Sequence, residues 1–343
     1  MLDSTLFYEV ILIILKVVVM TLVLFLLPLP LTWTERKVAG HIQARLGPFR
    51  VGPHGLLQPL ADLIKLQFKE DIVPDRADKL IFKLAPLFSL IPAFAVFVVI
   101  PFGDKITLPL INKEVTLYIS DMNVAVLYVL AIASLGIYGV ILGGWASNSK
   151  YALLGGLRSA AQMISYEVAL SFAVIGVVML SNSLSLVEIV GRQAGGILNW
   201  NIAFFPVGPL WFAIFLIASM AEINRIPFDL PEDEGTLAAG YHTEYSGLRF
   251  AFFQLAEYVA MFTMSILNVL FFWGGWHAPV ELPFQVPPII WFMGKVAVFI
   301  YLFMWIRFTL PRYRYDQLMK IGWKVLIPVS LFNILITGLL RIM

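Results

Sequence analysis

The sequence predicts an all-α integral membrane protein with eight transmembrane helices, one interfacial amphipathic helix, and both termini on the outer side. Three observations carry this. The chain of 343 residues is 60% hydrophobic and only 13% charged, with a mean hydropathy of +0.86, whereas a soluble domain carries about 25% charged residues. Eight apolar runs are long enough to cross a hydrocarbon core, which takes about 20 residues as a helix. Lysine and arginine gather in alternate connections between those runs.

The runs cover 6–33, 80–102, 122–145, 160–180, 205–221, 250–276, 288–308 and 321–340. The first is too long for a cleaved signal and lacks a small-residue cleavage site. The fifth is the weakest at its start, where Pro206 and Pro209 interrupt it. Connections after runs one, three, five and seven, with the adjoining helix ends, hold eighteen of the 24 bases, among them Arg36, Lys37, Arg45, Arg50, Lys65, Lys69, Arg158, Arg312 and Arg314. Lys105, Lys113, Arg192 and Arg341 lie on the other side, and Lys16 and Lys295 fall within runs. The basic side is the inner one, so the reading is one transmembrane domain over 1–343 with inner loops at about 34–79, 146–159, 222–249 and 309–320. No internal repeat is visible, which weighs against an inverted-repeat transporter.

Within the first inner loop, GLLQPLADLIKLQFK at 55–69 is too short to span. Gln58, Asp62, Lys65 and Lys69 recur at helical spacing, a narrow polar stripe on an otherwise apolar helix, and Pro59 suits a first turn. Such a helix either rests on the membrane surface or turns its polar stripe to a wet cavity.

The inner loop AEINRIPFDLPEDEGTLAAGYHTEYSG, at 221–247, concentrates six carboxylates (Glu222, Asp229, Glu232, Asp233, Glu234, Glu244) beside one base, Arg225. Glu167 and Glu257 lie deeper, nine residues after Arg158 and eight after Arg249. At a rise of ~1.5 Å per residue these offsets are roughly 13 and 12 Å. An ionisable group inside a span costs about 2.5–3.5 kcal/mol on insertion scales, so each asks for a reason. Glu222 precedes Arg225 by one helical turn, so the two share a face and can pair, and the choice for Glu222 is between an acid neutralised by Arg225 and a member of a proton path. For Glu167 and Glu257, which have no base nearby in sequence, the choice is between a neutral hydrogen-bonded acid and a proton carrier. Together the three describe a carboxylate path from the inner surface toward mid-membrane.

Several classes are excluded. With no cysteine there are no disulfides, thiolate-bound metals or cysteine-held iron–sulfur clusters in this chain. His41, His54, His242 and His277 have no metal-ligand spacing, and phosphate loops, nucleophile elbows and dinucleotide fingerprints are missing. Redox chemistry, if any, belongs to partners.

Five segments carry a resemblance: LTWTERKVAGHIQARLGPFRVGPHGLLQPLADLIKL at 31–66, GWASNSKYALLGGLRSAAQMISYEV at 144–168, AEINRIPFDLPE at 221–232, GYHTEYSG at 240–247 and WIRFTLPRYRYDQLM at 305–319. They resemble the family of NADH-quinone oxidoreductase H subunits, the membrane component of respiratory complex I that is related to mitochondrial NADH dehydrogenase subunit 1. The resemblance implies an eight-helix subunit of the bacterial inner membrane, with periplasmic termini. It would form much of the quinone chamber against the hydrophilic arm and couple quinone reduction to proton translocation. It implies chamber positions at Glu35, Arg36, Arg45, Asp62, Phe228 and Asp229, and proton-linked glutamates at Glu167, Glu222, Glu232, Glu234, Glu244 and Glu257. Thr236 stands where that family usually has a third alternating glutamate, and Asp233 offers a compensating acid.

The implied substrate is quinone, with FMN and iron–sulfur clusters held by partner subunits and no metal or flavin in this chain. The implied partners are the hydrophilic-arm quinone-site subunits, small membrane-arm subunits and membrane lipid, with no nucleic acid. Two alternatives remain at this level: the homologous membrane subunit of an energy-converting hydrogenase, which uses no quinone, and a free-standing secondary transporter.

Overall fold

The computed structural model describes residues 2–108, 113–230, 239–280 and 286–342. Among them, seven helical runs are long and apolar enough to cross a membrane: Glu9–Ile42, Lys79–Val98, Ala125–Ala146, Lys150–Ser181, Gly247–Phe272, Pro288–Thr309 and Tyr315–Ile342. The chain is a multi-pass membrane protein. Its helices are α1 (Leu2–Leu26), α2 (Pro28–Ile42), α3 (Gln58–Phe68), α4 (Lys79–Ala95), α5 (Ala125–Ala146), α6 (Lys150–Ser181), α7 (Leu186–Gly191), α8 (Val207–Glu222), α9 (Gly247–Phe272), α10 (Pro288–Thr309), α11 (Tyr315–Lys320) and α12 (Ile327–Ile342). A π-helical stretch, Ile321–Leu326, joins α11 to α12. The fifth run of the sequence becomes α8, which at 16 residues is shorter than the other seven. Pro206 caps it, and its first turn takes up Pro209, which needs no amide hydrogen there.

Charge marks where the hydrocarbon ends, not where the helix ends, and several boundaries move accordingly. Residues 34–42, expected in an inner loop, continue α2, so Glu35 and Arg36 stand on a helix. The fourth span begins at Lys150 rather than 160, and the last helix restarts at Tyr315 rather than 321. A helix satisfies its own backbone, so it can carry charged turns into the interface without cost to its hydrogen bonds. The helical architecture has one short addition that the sequence reading does not contain. Lys105–Leu108 and Lys113–Thr116 form an antiparallel hairpin with Lys105 opposite Thr116. Both segments are too short to span and contain β-branched residues suited to a strand.

α9 is the central helix, almost wholly buried and packed against α2, α3, α4, α8 and α10. Its C-terminal half is dry, with Phe271 and Phe272 against Phe215 of α8 at centroid distances of 5.5 and 5.6 Å. α4 and α5 approach backbone to backbone, since a Cβ on Gly139 would fall 2.5 Å from Ser89 N and 2.9 Å from Ala85 O. Small residues at helix contacts allow such close packing in a membrane. α1, by contrast, leaves most of its apolar side chains exposed from Val10 to Leu26, a surface for lipid or an apolar partner.

The two lysines inside spans are each satisfied by oxygens beyond the helix ends. Lys16 Nζ donates to Thr116 Oγ1 at 2.9 Å and Tyr118 O at 3.0 Å. Lys295 Nζ donates to the carbonyls of Trp273 (2.6 Å), Gly275 (3.0 Å) and His277 (2.7 Å), with its charge 4.1 Å from the centre of the Trp200 ring. The ammonium thus closes the turn that follows α9 onto α10. Lys295→Met is expected to strip three carbonyls of their donor and destabilise this end of the molecule by roughly 1–3 kcal/mol. The melting temperature of the purified protein, compared with Lys295→Arg, checks this, and an unchanged melting temperature would show the cap to be dispensable.

Candidate functional site

The strongest polar feature is a buried carboxylate. Glu35, on α2, is 5% exposed and accepts from three donors. Arg225 Nη1 lies 2.9 Å from its Oε2, Tyr258 Oη donates to the same oxygen at 2.8 Å, and Arg307 Nη1 pairs with Oε1. The Arg225 guanidinium also stacks on the Tyr258 ring, 4.6 Å from its centroid. Burial works against the charge on Arg225, but Glu35, Tyr258 and Glu257 outweigh it and hold the guanidinium above its ordinary pKa. Arg225 therefore stays charged.

Of the two readings the spacing leaves open for Glu222, the structure does not show the pair with Arg225, which binds Glu35 instead. α8 ends at Glu222, and Asn224 adopts φ 50°, turning the chain left-handed. The helical face shared by residues three apart is lost at that turn, so Arg225 reaches across to α2. Gln162 of α6 fixes the departing chain, its Nε2 donating to Ala221 O at 2.9 Å and Phe228 O at 2.6 Å.

Beside this cluster lies a cavity of about 490 Å³ between α1, α2, α3 and α9. Its walls are mainly leucine, phenylalanine and proline side chains, and its polar groups include Arg36, Asp62, Gln254 and Tyr258. Arg36 Nη1 meets Asp62 Oδ2 at 2.5 Å, and Gln58 Nε2 supports Asp62 Oδ1 at 3.0 Å. The stripe of α3 thus turns Asp62 toward a cavity, with Leu63 and Leu66 continuing the apolar wall. An apolar pocket with a few polar groups at one part of its lining suits an amphipathic molecule with a polar head and a greasy tail.

A second cavity, of about 100 Å³, lies on the other side of α9 and is lined by Glu222, Asn224, Tyr241 and Glu257. A third, of about 20 Å³, is lined by Glu222 and Glu167. The two small cavities share Glu222, Ala133, Thr263 and Met264. Three carboxylates from α6, α8 and α9 therefore border adjoining spaces, with Glu222 common to both. Glu222 Oε2 is buried with no protein hydrogen-bond donor among the described residues. The larger of the two has room for about three water molecules, enough to join neighbouring carboxyl groups through hydrogen bonds.

The structure brings Arg36 and Asp62 together in one cavity wall, and Glu167, Glu222 and Glu257 around the other two. Among the described residues, the remaining positions do not line the large cavity. Glu35 does not line it but accepts from Tyr258, which does. Arg45 is exposed and donates to Gln43 Oε1 at 2.7 Å. Phe228 lies buried between the rings of Tyr166 and Tyr313, and Asp229, 4% exposed, pairs with Arg312 at 2.9 Å. Glu244 is half-buried. Glu232 and Glu234, with Asp233 and Thr236, lie outside the described residues.

Nothing in the sequence alone singles out Tyr258, Arg307, Tyr241 or His242 for a part in the site. Tyr258 follows Glu257 directly, so one turns to the large cavity and the other to the small one. Tyr241 Oη and His242 Nε2 approach Glu257 Oε1 at 3.3 and 3.6 Å. A search for charge within apolar runs passes over neutral tyrosines, and Arg307 reads only as one more base at a helix end.

The family profile described as NADH dehydrogenase matches residues 15–338. The NADH-quinone oxidoreductase H subunit 2 of Rhizobium meliloti (strain 1021) is 58% identical over 326 residues, covering 95% of this chain and 96% of that protein. The H subunit 2 of Rhizobium etli is also 58% identical, over 329 residues, covering 96% of this chain and 94% of that one. The NADH-quinone oxidoreductase H subunit 1 of Geobacter sulfurreducens is 53% identical over 319 residues, with 90% and 88% coverage. The seven long apolar helices, the buried Glu35 cluster and these matches along nearly the whole length lead to one conclusion: the chain belongs to the NADH dehydrogenase family.

Proposed function

We propose that this chain is the quinone-chamber subunit of a proton-pumping NADH:quinone oxidoreductase, coupling quinone reduction to proton movement through its buried carboxylates. The observation that carries this reading is the placement of the two cavities on either side of α9. Tyr258 faces the large apolar one and touches Glu35, while the adjacent Glu257 borders the carboxylate-lined one. The names of the relatives supply the reaction, since each is the H subunit of a bacterial NADH-quinone oxidoreductase.

In this reading the quinone tail lies against the apolar wall and the headgroup is held near Arg36, Asp62 and Tyr258. Electrons arrive from FMN and iron–sulfur clusters in partner subunits. Reduction adds two electrons, so negative charge develops on the headgroup oxygens near Arg36 until they take up two protons and become the neutral quinol. Arg36 then divides its attraction between Asp62 and the headgroup. Any change at the Tyr258 hydroxyl is felt at Glu35 and hence at Arg225, whose charge also interacts with Glu257. Glu257, Glu222 and Glu167 relay the change as protonation, by carboxyl groups that exchange between charged and neutral forms in a low-dielectric setting. Glu232, Glu234 and Glu244 feed this path from the inner side.

The same reading places eight crossings in a bacterial inner membrane, with α8 as the fifth and both termini periplasmic. The exposed inner segment carrying Arg45, Leu46, Phe49 and Arg50 faces the hydrophilic-arm subunits, and Phe228 and Asp229 brace the loop bordering the chamber. Small membrane-arm subunits and lipid cover the remaining apolar faces.

Four outcomes are expected in the assembled complex. Asp62→Asn frees Arg36 from its ion pair and should cut quinone-linked turnover severalfold while NADH oxidation by an artificial acceptor stays near normal; equal loss of both would indicate failed assembly instead. Glu35→Gln leaves Arg225 and Arg307 without their anion in a buried site, a loss on the order of 3–5 kcal/mol, so the level of assembled subunit in membranes should fall sharply. Tyr258→Phe, which removes one hydrogen bond to the charged group, should cost about 1.5–3 kcal/mol and be tolerated better. Glu222→Gln and Glu167→Gln keep shape but fix the neutral state, and should lower turnover and proton pumping together at normal assembly. Near-normal pumping in both would rule out the relay.

A further inference from the structure

His242 ends the 3-10 turn Gly240–His242 and is 3% exposed. The turn is seated on α6 by direct backbone contact. A Cβ on Gly155 would fall 2.7 Å from Gly240 Cα, and Gly240 takes a φ of 55°, which a side chain would strain. The imidazole lies 3.8 Å from the Tyr241 ring, centre to centre, and is flanked edge-on by Phe250 at 5.4 Å and Phe253 at 5.2 Å. Within this aromatic sleeve Nε2 faces Glu257 Oε1 at 3.6 Å, the oxygen that Tyr241 Oη also contacts. Among the described residues, Tyr241 of its own turn and Glu257 of α9 are titratable groups set against the ring, while α6 meets the turn at Gly155, which has no side chain.

Packing alone does not need an imidazole here, because a phenylalanine would fill an aromatic sleeve at no desolvation cost. An imidazole adds the ability to hold and release a proton near neutral pH. Its partner Glu257 and the adjacent Tyr241 line the cavity that Glu222 also borders, and His242 follows the acid-rich run by only a few residues in the chain.

We propose that His242 is the group that loads and unloads the proton of Glu257, an inference that rests on the carboxylate-relay reading above. In the transfer the Nε2–H bond of the imidazolium breaks and the proton bonds to Glu257 Oε1, leaving a neutral imidazole and a neutral carboxyl. The imidazole regains its proton from inner-side water. The 3.6 Å separation closes by a small rotation of the side chain or through one bridging water.

The test uses the whole assembled complex in sealed membrane vesicles, with His242→Asn, His242→Gln, Glu257→Gln and the double variant His242→Asn/Glu257→Gln. Rates are expressed per assembled complex, counted by NADH oxidation with an artificial acceptor. Both histidine variants keep a hydrogen-bonding amide that cannot carry the proton, and each should lower quinone-linked turnover roughly three- to tenfold and raise its solvent deuterium isotope effect. The double variant should be no slower than Glu257→Gln alone, because residues acting in series are not additive. An unchanged isotope effect with additive losses would assign His242 to packing and overturn the proposal. Normal histidine variants beside an impaired Glu257→Gln would also overturn it, while the relay reading stands. Normal turnover in every variant would remove the relay itself.

Discussion

The arrangement depends on a carboxylate almost without access to solvent. Glu35 ties together α2, the chain that leaves α8, the middle of α9 and the C-terminal end of α10 through Arg225, Tyr258 and Arg307. A buried ion pair is not in itself a source of stability, since the desolvation of each charge offsets much of the attraction. What it provides is geometry, because every one of these groups becomes a serious liability if its partner moves. Four elements are thereby held in one register, and the two cavities exist in the spaces that register leaves between them.

The cluster is also charged. Among the described residues two guanidiniums face one carboxylate, so the cluster carries one excess positive charge. The nearby Glu257 interacts with that charge across α9. The helix acts as a septum: at residue 257 it presents an acid to one side, and at residue 258 a phenol to the other. In the proposed function, charge that changes in the large cavity reaches the small ones by electrostatics alone, with no need for a continuous hydrogen-bonded wire through the helix.

The polar and dry halves of the molecule are segregated along the same helix. Toward its C-terminal end α9 packs phenylalanines against α8, and Lys295 seals the turn with three backbone carbonyls. Toward its N-terminal end it carries Glu257, Tyr258 and Arg249, the last paired with Asp71 at 3.1 Å. The acids of α8 and α9 thus enter the bundle from one end, where Gln162 holds the chain that leaves α8 in place.

The sequence by itself determined the membrane class, the approximate spans, the amphipathic α3 and the three deep carboxylates. These are one-dimensional signals, in which hydropathy over about 20 residues and an isolated charge within it are readable without any partner. It also located Asp62 on a polar stripe, because helical periodicity needs only the local chain. It did not determine who pairs with whom. Glu222 and Arg225 are neighbours on a continuous helix, but the left-handed Asn224 ends that helix and sends Arg225 to Glu35, 190 positions away in the chain. Likewise Phe228 and Asp229 are loop anchors beside Tyr313 and Arg312. Tyr258, Tyr241 and His242 gain a part only when packing sets them against Glu35 and Glu257. Long-range pairing is decided by which helix faces meet, and that choice is written in the shapes of all the helices together.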